Sequence, residues 1–514
     1  MRTSASIALF SILSAAPAFA QAPQTPAAAT LRLSADEAVS MALDHNIDLS
    51  VDRLNPQISD TRVAAANGAF RPTLSSAFNS NNQLQPPSSF LIPTATRTDA
   101  MTESVGIGQR LSTFGTQYSV SWNAVHTNSN SFLNSYNPLV TSGIGFTLSQ
   151  PLVRDLFIDT PRQQLAASRI NRDISDTRLR ESLVHTTADV KTAYWNLVAA
   201  RDNVDNRRTA LGLAEELTRV NRAKVDVGTA PPLDLVSAQA EVASNQESLI
   251  IAETVARTAE DRLRMLILDM TNRDNWNVRL EPTDTPPTAT PAIDLDAAVS
   301  RALSTRTDLL RAKKDIENAS LNTKLADNQK RPDVRLNAAY QANGLGGVQV
   351  LRTGGFPGTI VGPGDGIGFG SVLNQLFSSD FPTWSVGVSV SYPLGDSVEQ
   401  ANAARTKLEE QQAAQREKSQ EAKAIQQIRD AAWKVEMNGK RIETTRAARE
   451  LAEQRLDAER KRLDVGMSTS FLVIQAQRDL AQARTNELGA ILAYDLALVD
   501  FDALQQAGPA GQGS

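Results

Sequence analysis

The sequence predicts an α plus membrane β-barrel fold made of two similar halves, each reading helix, strand, strand, very long helix and second helix. Three observations predict it: an internal repeat, segments with two-residue alternation, and two helix-forming runs of unusual length. Residues 36–72 recur 260 positions later. Trp195 and the turn after residue 225 recur 238 positions later, as Trp433 and the turn after residue 463. Each half is too poor in apolar residues to form a globule alone.

The N-terminal region predicts export. Arg2, an apolar run at residues 7–16 and the small-residue site at residues 18–20 indicate a signal peptide over residues 1–20. The run is shorter than the roughly 18 residues that a spanning helix needs. The chain has no cysteine, which excludes disulfides, thiolate metal sites and a lipid-bearing N-terminal cysteine. Its formal net charge of −5 gives no support to nucleic-acid binding.

Four short segments alternate apolar residues with small or polar ones, which predicts strands with one apolar face. They lie near residues 74–78, 144–148, 334–340 and 384–392. A soluble antiparallel sheet alternates in the same way, but a membrane barrel also places aromatic residues at the lipid interface. The predicted interface aromatics are Trp122, Phe146, Trp384 and Tyr392.

The number of strands predicts that several chains share one barrel. Residues 105–109 and 118–124 predict an additional hairpin, inside or outside the barrel, and the glycine-rich residues 341–381 predict a surface loop. Roughly four to six strands per chain are fewer than the about eight of the smallest membrane barrels. Open sheet edges are not tolerated in lipid.

Two long helices are predicted at residues 162–227 and 397–465, which are almost free of glycine and proline. Each would be about 100 Å long at 1.5 Å per residue. The helices that follow carry apolar or small residues at alternating spacings of three and four, which predicts coiled-coil packing. Only Asn245 and Glu487 interrupt the two stripes, at equivalent positions. A solitary rod or soluble bundle explains the spacing but leaves the alternating strands unexplained.

The two hairpin tips between these helices are the predicted docking surface, because they expose apolar residues at the far end of a rod. Turn chemistry alone also accounts for the glycines, prolines and hydroxyl residues there. The residues assigned to this surface are Val227, Gly228, Thr229, Ala230, Leu233, Val465, Gly466, Met467, Ser468 and Ser470.

The duplicated order of elements resembles that of the TolC-like outer-membrane efflux and secretion channels. The resemblance also rests on paired motifs in the two halves and covers about residues 33–505. The motifs are the repeat openings Ala38-Val39-x-x-Ala42-Leu43 and Ala298-Val299-x-x-Ala302-Leu303, Arg-Pro at 71–72 and 331–332, and the strand exits at 149–152 and 391–394.

The resemblance implies a homotrimeric α/β-barrel with a shared outer-membrane β-barrel and a periplasmic α-helical tunnel. It implies a periplasmic adaptor (membrane fusion) protein, an inner-membrane transporter and outer-membrane lipid as partners, and no cofactor. In the best-known member, an aspartate after the first tip bonds to a tyrosine and an arginine beside the second and closes the entrance. Asp234 matches the aspartate and is the possible entrance gate, whereas Leu463 and Ser468 occupy the other two positions.

The predicted function is a passive outer-membrane exit duct of a tripartite efflux pump or a type I secretion system, in a Gram-negative bacterium. A non-conducting coiled-coil structural protein or adhesin is the alternative, and an adaptor is disfavoured because it carries one hairpin flanked by β-domains. An enzyme is disfavoured because the three histidines lack metal spacing and no nucleophile motif is present.

The predicted segments follow from the same patterns. They are a signal peptide (1–20), a first repeat (21–280, strands about 72–152, coiled helices about 160–268), a linker (281–292), a second repeat (293–505, strands about 332–394, coiled helices about 397–505) and a disordered tail (506–514).

Overall fold

The computed structural model describes residues 30–87, 94–131, 133–286, 293–355, 358–392, 394–395 and 397–509. The predicted signal peptide lies outside the described residues. The chain forms two compact units. Unit 1 contains residues up to 46, 193–286 and 452–488, and unit 2 contains residues 47–192, 287–451 and those from 489 onwards.

The helices and strands follow the duplicated order. In chain order they are β1 (Thr30–Leu33), α1 (Ala35–His45), α2 (Ile47–Asp52), α3 (Leu54–Gly68), β2 (Thr73–Gln85), β3 (Thr96–Arg110), β4 (Gln117–Ser129), β5 (Tyr136–Pro151), α4 (Thr160–Asp226), α5 (Pro232–Ile267), a 3-10 turn (Arg273–Asn277), β6 (Arg279–Pro282), α6 (Leu295–Thr305), α7 (Thr307–Gln329), β7 (Asp333–Thr353), β8 (Thr359–Ile367), α8 (Phe369–Ser378), β9 (Phe381–Ser391), α9 (Val398–Asp464) and α10 (Ser470–Leu504).

The two predicted long helices are confirmed, since α4 and α9 contain 67 residues each. Proline occurs in them only at Pro161, in the first turn of α4, so the backbone hydrogen-bond ladder is not broken by a missing N–H. None of the helices within the described residues combines the length and the apolar character needed to cross a membrane.

The three-and-four spacing of α10 is confirmed as a buried stripe. In unit 1, Val473, Ala476 and Leu480 pack with Leu217 and Leu456 in one apolar cluster. In unit 2 the stripe continues in a second cluster of buried residues. Its members include Ala490, Tyr494, Phe501 and Leu504 from α10 and Ile428, Ala431 and Val435 from α9.

A two-stranded parallel sheet in unit 1 extends into the predicted linker. β1 pairs with β6 along all four residues. The buried hydroxyl of Tyr194 donates to the carbonyl of Leu33 (3.3 Å) and accepts from the N–H groups of Thr283 (3.2 Å) and Asp284 (3.0 Å). The linker predicted at 281–292 is therefore corrected at its start, and residues 287–292 lie outside the described residues.

The sheet of unit 2 is antiparallel and has seven strands in six positions across its width. The order is β2-β3-β4-β5-β7, and the sixth position is shared by β9, beside residues 333–343 of β7, and β8, beside residues 347–353. β3 and β4 form the additional hairpin of the first half. Because β3 pairs with β2 and β4 along its length, this hairpin joins the sheet.

The predicted surface loop at residues 341–381 is wrong. β7 continues to Thr353 and is followed by β8 and the short helix α8. The glycines that suggested a loop instead let α8 approach the sheet, because a Cβ on Gly344 would lie 2.5 Å from the carbonyl oxygen of Val372.

The predicted disordered tail is corrected for residues 506–509. The carbonyl of Gln506 accepts from the N–H of Thr307 (3.0 Å), and Ala507 is fully buried. The small side chain of Ala507 and the following glycine let the chain pass close to α7, where Gly508 lies beside Asp308. Residues 510–514 lie outside the described residues.

Candidate docking and membrane surfaces

Both hairpin tips, which lie in unit 1, reverse through the same turn. In each, an N–H donates to the carbonyl five residues earlier, from Thr229 and from Met467 (2.8 Å in both). Gly228 and Gly466 precede these residues with φ of 74° and 79°, in the left-handed region that ends many helices. A Cβ at either glycine would meet no atom within 4 Å, so the backbone angle and not the space requires glycine.

Apolar side chains are exposed at both tips, as the docking prediction expects. Five of them are between 69% and 78% exposed: Val227, Leu233, Val465, Met467 and Phe471. Gly228, Thr229 and Gly466 are also exposed, whereas Ala230 and Ser468 are half-buried. Ser470 differs, because its side chain is buried and is not available at the surface.

A buried polar contact below the tips joins the two hairpins. The side-chain amide of Asn221, on α4, donates to the backbone carbonyl of Asp234 (3.2 Å), and its Oδ1 accepts from the hydroxyl of Ser470 on α10 (3.0 Å). Asn221 is fully buried. Asp234, the predicted gate residue, therefore takes part through its main chain. Because an unpaired buried polar group costs about 1–3 kcal/mol, the three groups depend on one another.

A charged pair forms a second link between the hairpins. Glu241 Oε2, on α5, accepts from Nε (2.9 Å) and Nη2 (2.6 Å) of Arg478 on α10. The side chain of Glu241 is 7% exposed and that of Arg478 is 60% exposed. The hydrogen bond to Glu241 raises the pKa of Arg478 above its usual value. Asn245 donates to Oε1 of Glu241 (3.1 Å), which accounts for the polar interruption of the α5 stripe.

Asn221 and Glu241 were not found by sequence reasoning. Their partners on α10 lie 249 and 237 residues away in the chain, so no local pattern connects them. The sequence feature that could have identified them is a polar residue on a helix face that packs against small and apolar residues. Among the described residues, no group of three or more His, Cys, Asp or Glu side chains is arranged to hold a metal ion.

One face of the sheet in unit 2 carries an apolar ladder across all six strand positions. Each member lies directly opposite the next, so all side chains share that face. From β2 to β9 the members are Leu74, Ile107, Val120, Phe146, Tyr340 and Trp384, all of them exposed. A continuous exposed apolar surface of this kind is typical of the exterior of a membrane barrel.

The opposite face of the sheet is small and polar. The row of directly opposite residues next to the apolar ladder, here called the polar row, lies on that face. It contains Thr73, Gly108, Ser119, Thr147, Ala339 and Ser385. Within it the hydroxyls of Ser119 and Thr147 are hydrogen-bonded (2.7 Å). The two faces therefore differ as the lipid-facing and water-facing sides of a channel wall do.

The predicted interface aromatics lie on or beside the apolar ladder. Phe146 and Trp384 flank Tyr340, which the prediction did not include although it belongs to an alternating segment. Trp122 lies on the same face, and its indole N–H donates to the hydroxyl of Ser142 (2.9 Å). Tyr392 lies one residue beyond β9 and is half exposed.

A model of the outer membrane efflux protein family matches residues 95–267 and 298–505. Solved structures of outer-membrane proteins share the fold. The Campylobacter jejuni CmeC outer membrane channel has a TM-score of 0.63 at 15% identity, covering 92% of this chain and 85% of that chain. The Vibrio cholerae outer membrane protein VceC has a TM-score of 0.64 at 15% identity, covering 92% and 96%. The open state of the Neisseria gonorrhoeae MtrE outer membrane channel has a TM-score of 0.61 at 19% identity, covering 92% and 89%. No curated protein sequence matches the chain.

Proposed function

The chain belongs to the outer membrane efflux protein family, and from this premise we propose how it works as an outer-membrane exit duct. Three copies close one barrel, their helices continue the passage into the periplasm, and the hairpin tips receive a periplasmic adaptor. An inner-membrane transporter supplies the energy. The duct conducts cargo passively and catalyses no reaction.

The observation that carries this proposal is the pair of unpaired edges of the sheet in unit 2. Among the described residues, β2 pairs only with β3 and β9 only with β7. Six positions are fewer than the about eight strands of the smallest membrane barrels, and hydrocarbon does not tolerate open edges. Neighbouring strands alternate in direction, so six positions make β9 antiparallel to β2 of a second copy. Six positions in each of three copies give a wall of 18 strand positions and no free edge.

The two faces of the sheet support conduction through the barrel. The apolar ladder supplies the lipid-facing exterior, and the polar row that contains Ser119 and Thr147 lines the lumen with small polar side chains. Small side chains leave the lumen wide. Polar groups on the lumen side keep it hydrated, which suits the passage of varied cargo.

The exposed apolar side chains at the hairpin tips support docking of a partner. Val227 and Leu233 at the first tip, and Val465 and Met467 at the second, are each at least 70% exposed. Apolar side chains that gather at a surface mark protein interaction sites when no other part of the chain covers them. An adaptor that presents apolar side chains of its own would bury these four.

Closure of the periplasmic entrance is assigned to the two links between the hairpins. Asn221 holds the start of α5 and the start of α10 together, and Glu241 holds Arg478. These contacts replace the lock that Leu463 and Ser468 cannot form. The closed state has these links and the open state lacks them. Docking opens the duct if the adaptor binds the open state more tightly than the closed state.

Disulfide crosslinking tests the shared barrel, because the chain has no cysteine of its own. Cysteines replace lumen-side residues of β2 (Thr73, Ser75 or Ala77), each combined with Ser385→Cys on β9. At least one combination is expected to give covalent trimers on oxidation, in a channel that still conducts. Ser121→Cys with Ser385→Cys is the control, since β4 is an interior strand, and it is expected to give none. A conducting channel in which no β2 position crosslinks contradicts the proposal.

A further inference from the structure

The helix α8 is seated on the apolar face of the sheet in unit 2. Gly344 and Gly346 are separated from Tyr340 by even numbers of residues along β7. They therefore lie on the same face of the sheet as the apolar ladder. A Cβ on Gly344 would lie 2.5 Å from the carbonyl oxygen of Val372, and one on Gly346 would lie 2.5 Å from Cγ2 of Val372. The two glycines therefore form a seat into which α8 fits.

Polar contacts fix α8 in this seat. β9 pairs with β7 up to Asn343, and β8 pairs with β7 from Gly347. On that side of β7, residues 344–346 therefore have no described strand as a hydrogen-bonding neighbour, and this leaves a gap. The side chain of Gln375 fills the gap, where its Oε1 accepts from the N–H of Leu345 (2.9 Å). The hydroxyls of Tyr340 and Ser379 are hydrogen-bonded (3.0 Å) just beyond the end of the helix.

The apolar surface of α8 is wider than its seat. Val372 and Leu376 are buried against the sheet. At about 100° per residue, positions 369, 373 and 377 form the adjacent stripe, and there Phe369 is 43% exposed and Phe377 is 79% exposed. Positions 370, 371, 374 and 378 form the polar or small arc, while Gln375 beside it is bonded to the sheet. The helix contains no charged residue.

The level of α8 along the strands places it at the edge of the apolar band. Residues 333–343 of β7 pair with β9 and span about 28 Å along the barrel axis, at about 3.3 Å per residue and a tilt of about 40°. This length is close to the about 25 Å of the apolar band of outer-membrane barrels. Gly344 and Gly346 follow directly, in the half of β7 that lies farther from α7 and α9.

We propose that α8 is an interfacial helix that lies in the outer leaflet, with Phe369 and Phe377 among the lipid acyl chains and the polar arc toward the headgroups. The inference goes beyond the exit duct but rests on the outer-membrane location of the sheet. Lipid is the occupant because the exposed stripe continues the apolar ladder through Tyr340. α8 packs mainly on β7 and β5, two interior strands, and not on β2 or β9, the edge strands that would pair with other copies.

The charges near α8 indicate which part of the lipid is recognised. Residues 354–392 contain no lysine or arginine, and Asp365 and Asp380 flank the helix. A site for anionic headgroups needs basic side chains. The helix therefore binds hydrocarbon, and its affinity does not depend on headgroup charge.

Spin labels on single cysteines test this placement in lipid bilayers. Phe377→Cys reports the exposed stripe, Asn374→Cys the polar arc of the same helix, and Val386→Cys the lipid-facing side of β9. Collision rates with oxygen and with a water-soluble nickel chelate give the depth of each label. The label at 377 is expected to favour oxygen, at the depth of about 5–10 Å typical of interfacial helices, and the label at 374 to favour nickel.

Three results would overturn the proposal, and they are distinguishable. A label at 377 that favours nickel while the label at 386 favours oxygen places α8 in water and leaves the barrel intact. A label at 377 that is shielded from both reagents and broadened by spin–spin coupling shows that a second copy covers α8. If the label at 386 also favours nickel, the sheet does not face lipid, and the exit duct fails with the helix.

A second variant tests the glycine seat. Gly344→Ala, combined with Phe377→Cys, is expected to displace α8 and abolish the depth difference between labels at 377 and 374, while the channel stays assembled and conducting. Gly362→Ala is the matched control, because a Cβ there meets no atom within 4 Å. An unchanged depth difference in Gly344→Ala would show that the seat does not hold the helix.

Discussion

The two hairpins in unit 1 make the same turn but use equivalent positions differently. Shifted by 238, Asn221 corresponds to Glu459 and Glu241 corresponds to Asp479. The first-hairpin residues bond to the second hairpin, through Ser470 and Arg478. The second-hairpin residues bond within their own hairpin: Glu459 accepts from Ser468 (2.7 Å) and Asp479 from Arg455 (2.8 Å).

This difference shows which contacts a duplicated chain keeps and which it changes. The turn depends on a backbone angle that only a few residues adopt, so Gly228 and Gly466 remain equivalent. The contacts around the turn depend on what faces each hairpin. Within one chain the first hairpin faces the second through Asn221 and Glu241, while Glu459 and Asp479 make local bonds. Variants at equivalent positions should therefore behave unequally.

The largest expected effect concerns Asp495 on α10, whose equivalent in α5 is the exposed Arg257. Asp495 is 3% exposed, and its Oδ1 has no hydrogen-bond partner among the described residues. Burial raises its pKa to about 7. The folded state then binds the proton more tightly than the unfolded state, so stability is highest at low pH and falls as the pH rises toward the folded pKa. Between pH 5 and pH 8 the chain should lose about 2–3 kcal/mol relative to Asp495→Asn.

Denaturant midpoints of the detergent-solubilised channel at several pH values check this prediction. Arg257→Gln is the control at the equivalent position and should keep the pH slope of the unmodified chain. If Asp495→Asn follows the same slope as well, the carboxyl group of Asp495 does not titrate in this range.

The next effect comes from the buried amide. Asn221→Leu removes both hydrogen bonds and leaves the hydroxyl of Ser470 without its acceptor in a buried place, at a cost of roughly 2 kcal/mol. The link between the hairpins is lost, so the closed channel should leak more current in planar bilayers. Glu459→Leu at the equivalent position changes only bonds within the second tip and should keep the closed conductance. Equal leakage in both variants would contradict the assignment of closure to Asn221.

Breaking the charged pair between the hairpins should cost more folding free energy than breaking the equivalent pair within the second hairpin, and the difference should be smaller than for Asn221. Arg478→Met leaves the carboxylate of Glu241 buried without its cation, with the amide of Asn245 as its remaining side-chain partner. The cost should be about 1–2 kcal/mol, because Arg478 is itself more than half exposed. Arg455→Met breaks the more exposed pair with Asp479 and should cost about 0–0.5 kcal/mol. Thermal denaturation of the two variants and of the matching double-mutant cycles measures the contrast. Equal costs would mean that burial of Glu241 does not matter.

The tip glycines should behave alike, with the smallest effect. Gly228→Ala and Gly466→Ala each place a Cβ in the left-handed region, at a cost of about 1 kcal/mol, and neither meets a neighbouring atom. The two variants should lower the denaturation midpoint equally and leave the closed conductance unchanged. Unequal midpoints would show that the turns are not equivalent.

The predictions from sequence succeeded where a local pattern decides the structure. The long helices follow from the near absence of proline, the α10 stripe from its spacing, and the tips from Gly228 and Gly466. Alternation found the strands and the apolar face that includes Phe146 and Trp384. Each of these signals lies within a few residues of the structure it predicts.

The failures share a physical cause, which is a contact between residues far apart in the chain. Gly344 resembled a loop glycine in the sequence. The helix that needs this position to lack a Cβ, α8, begins only after the rest of β7 and all of β8. Residues 506–509 looked disordered because their partner Thr307 belongs to another helix. Asn221 and Tyr340 are ordinary residues in sequence and become important only through Ser470 and the ladder.

The most direct measurement of the central claim is a strand-resolved image of the assembled channel in a lipid bilayer, by electron microscopy. We predict threefold symmetry and a wall of 18 strand positions, with β2 of each copy antiparallel to β9 of the next. A closed wall of 12 strands with the β3–β4 hairpin outside it, or a single chain closed on itself, would contradict the account.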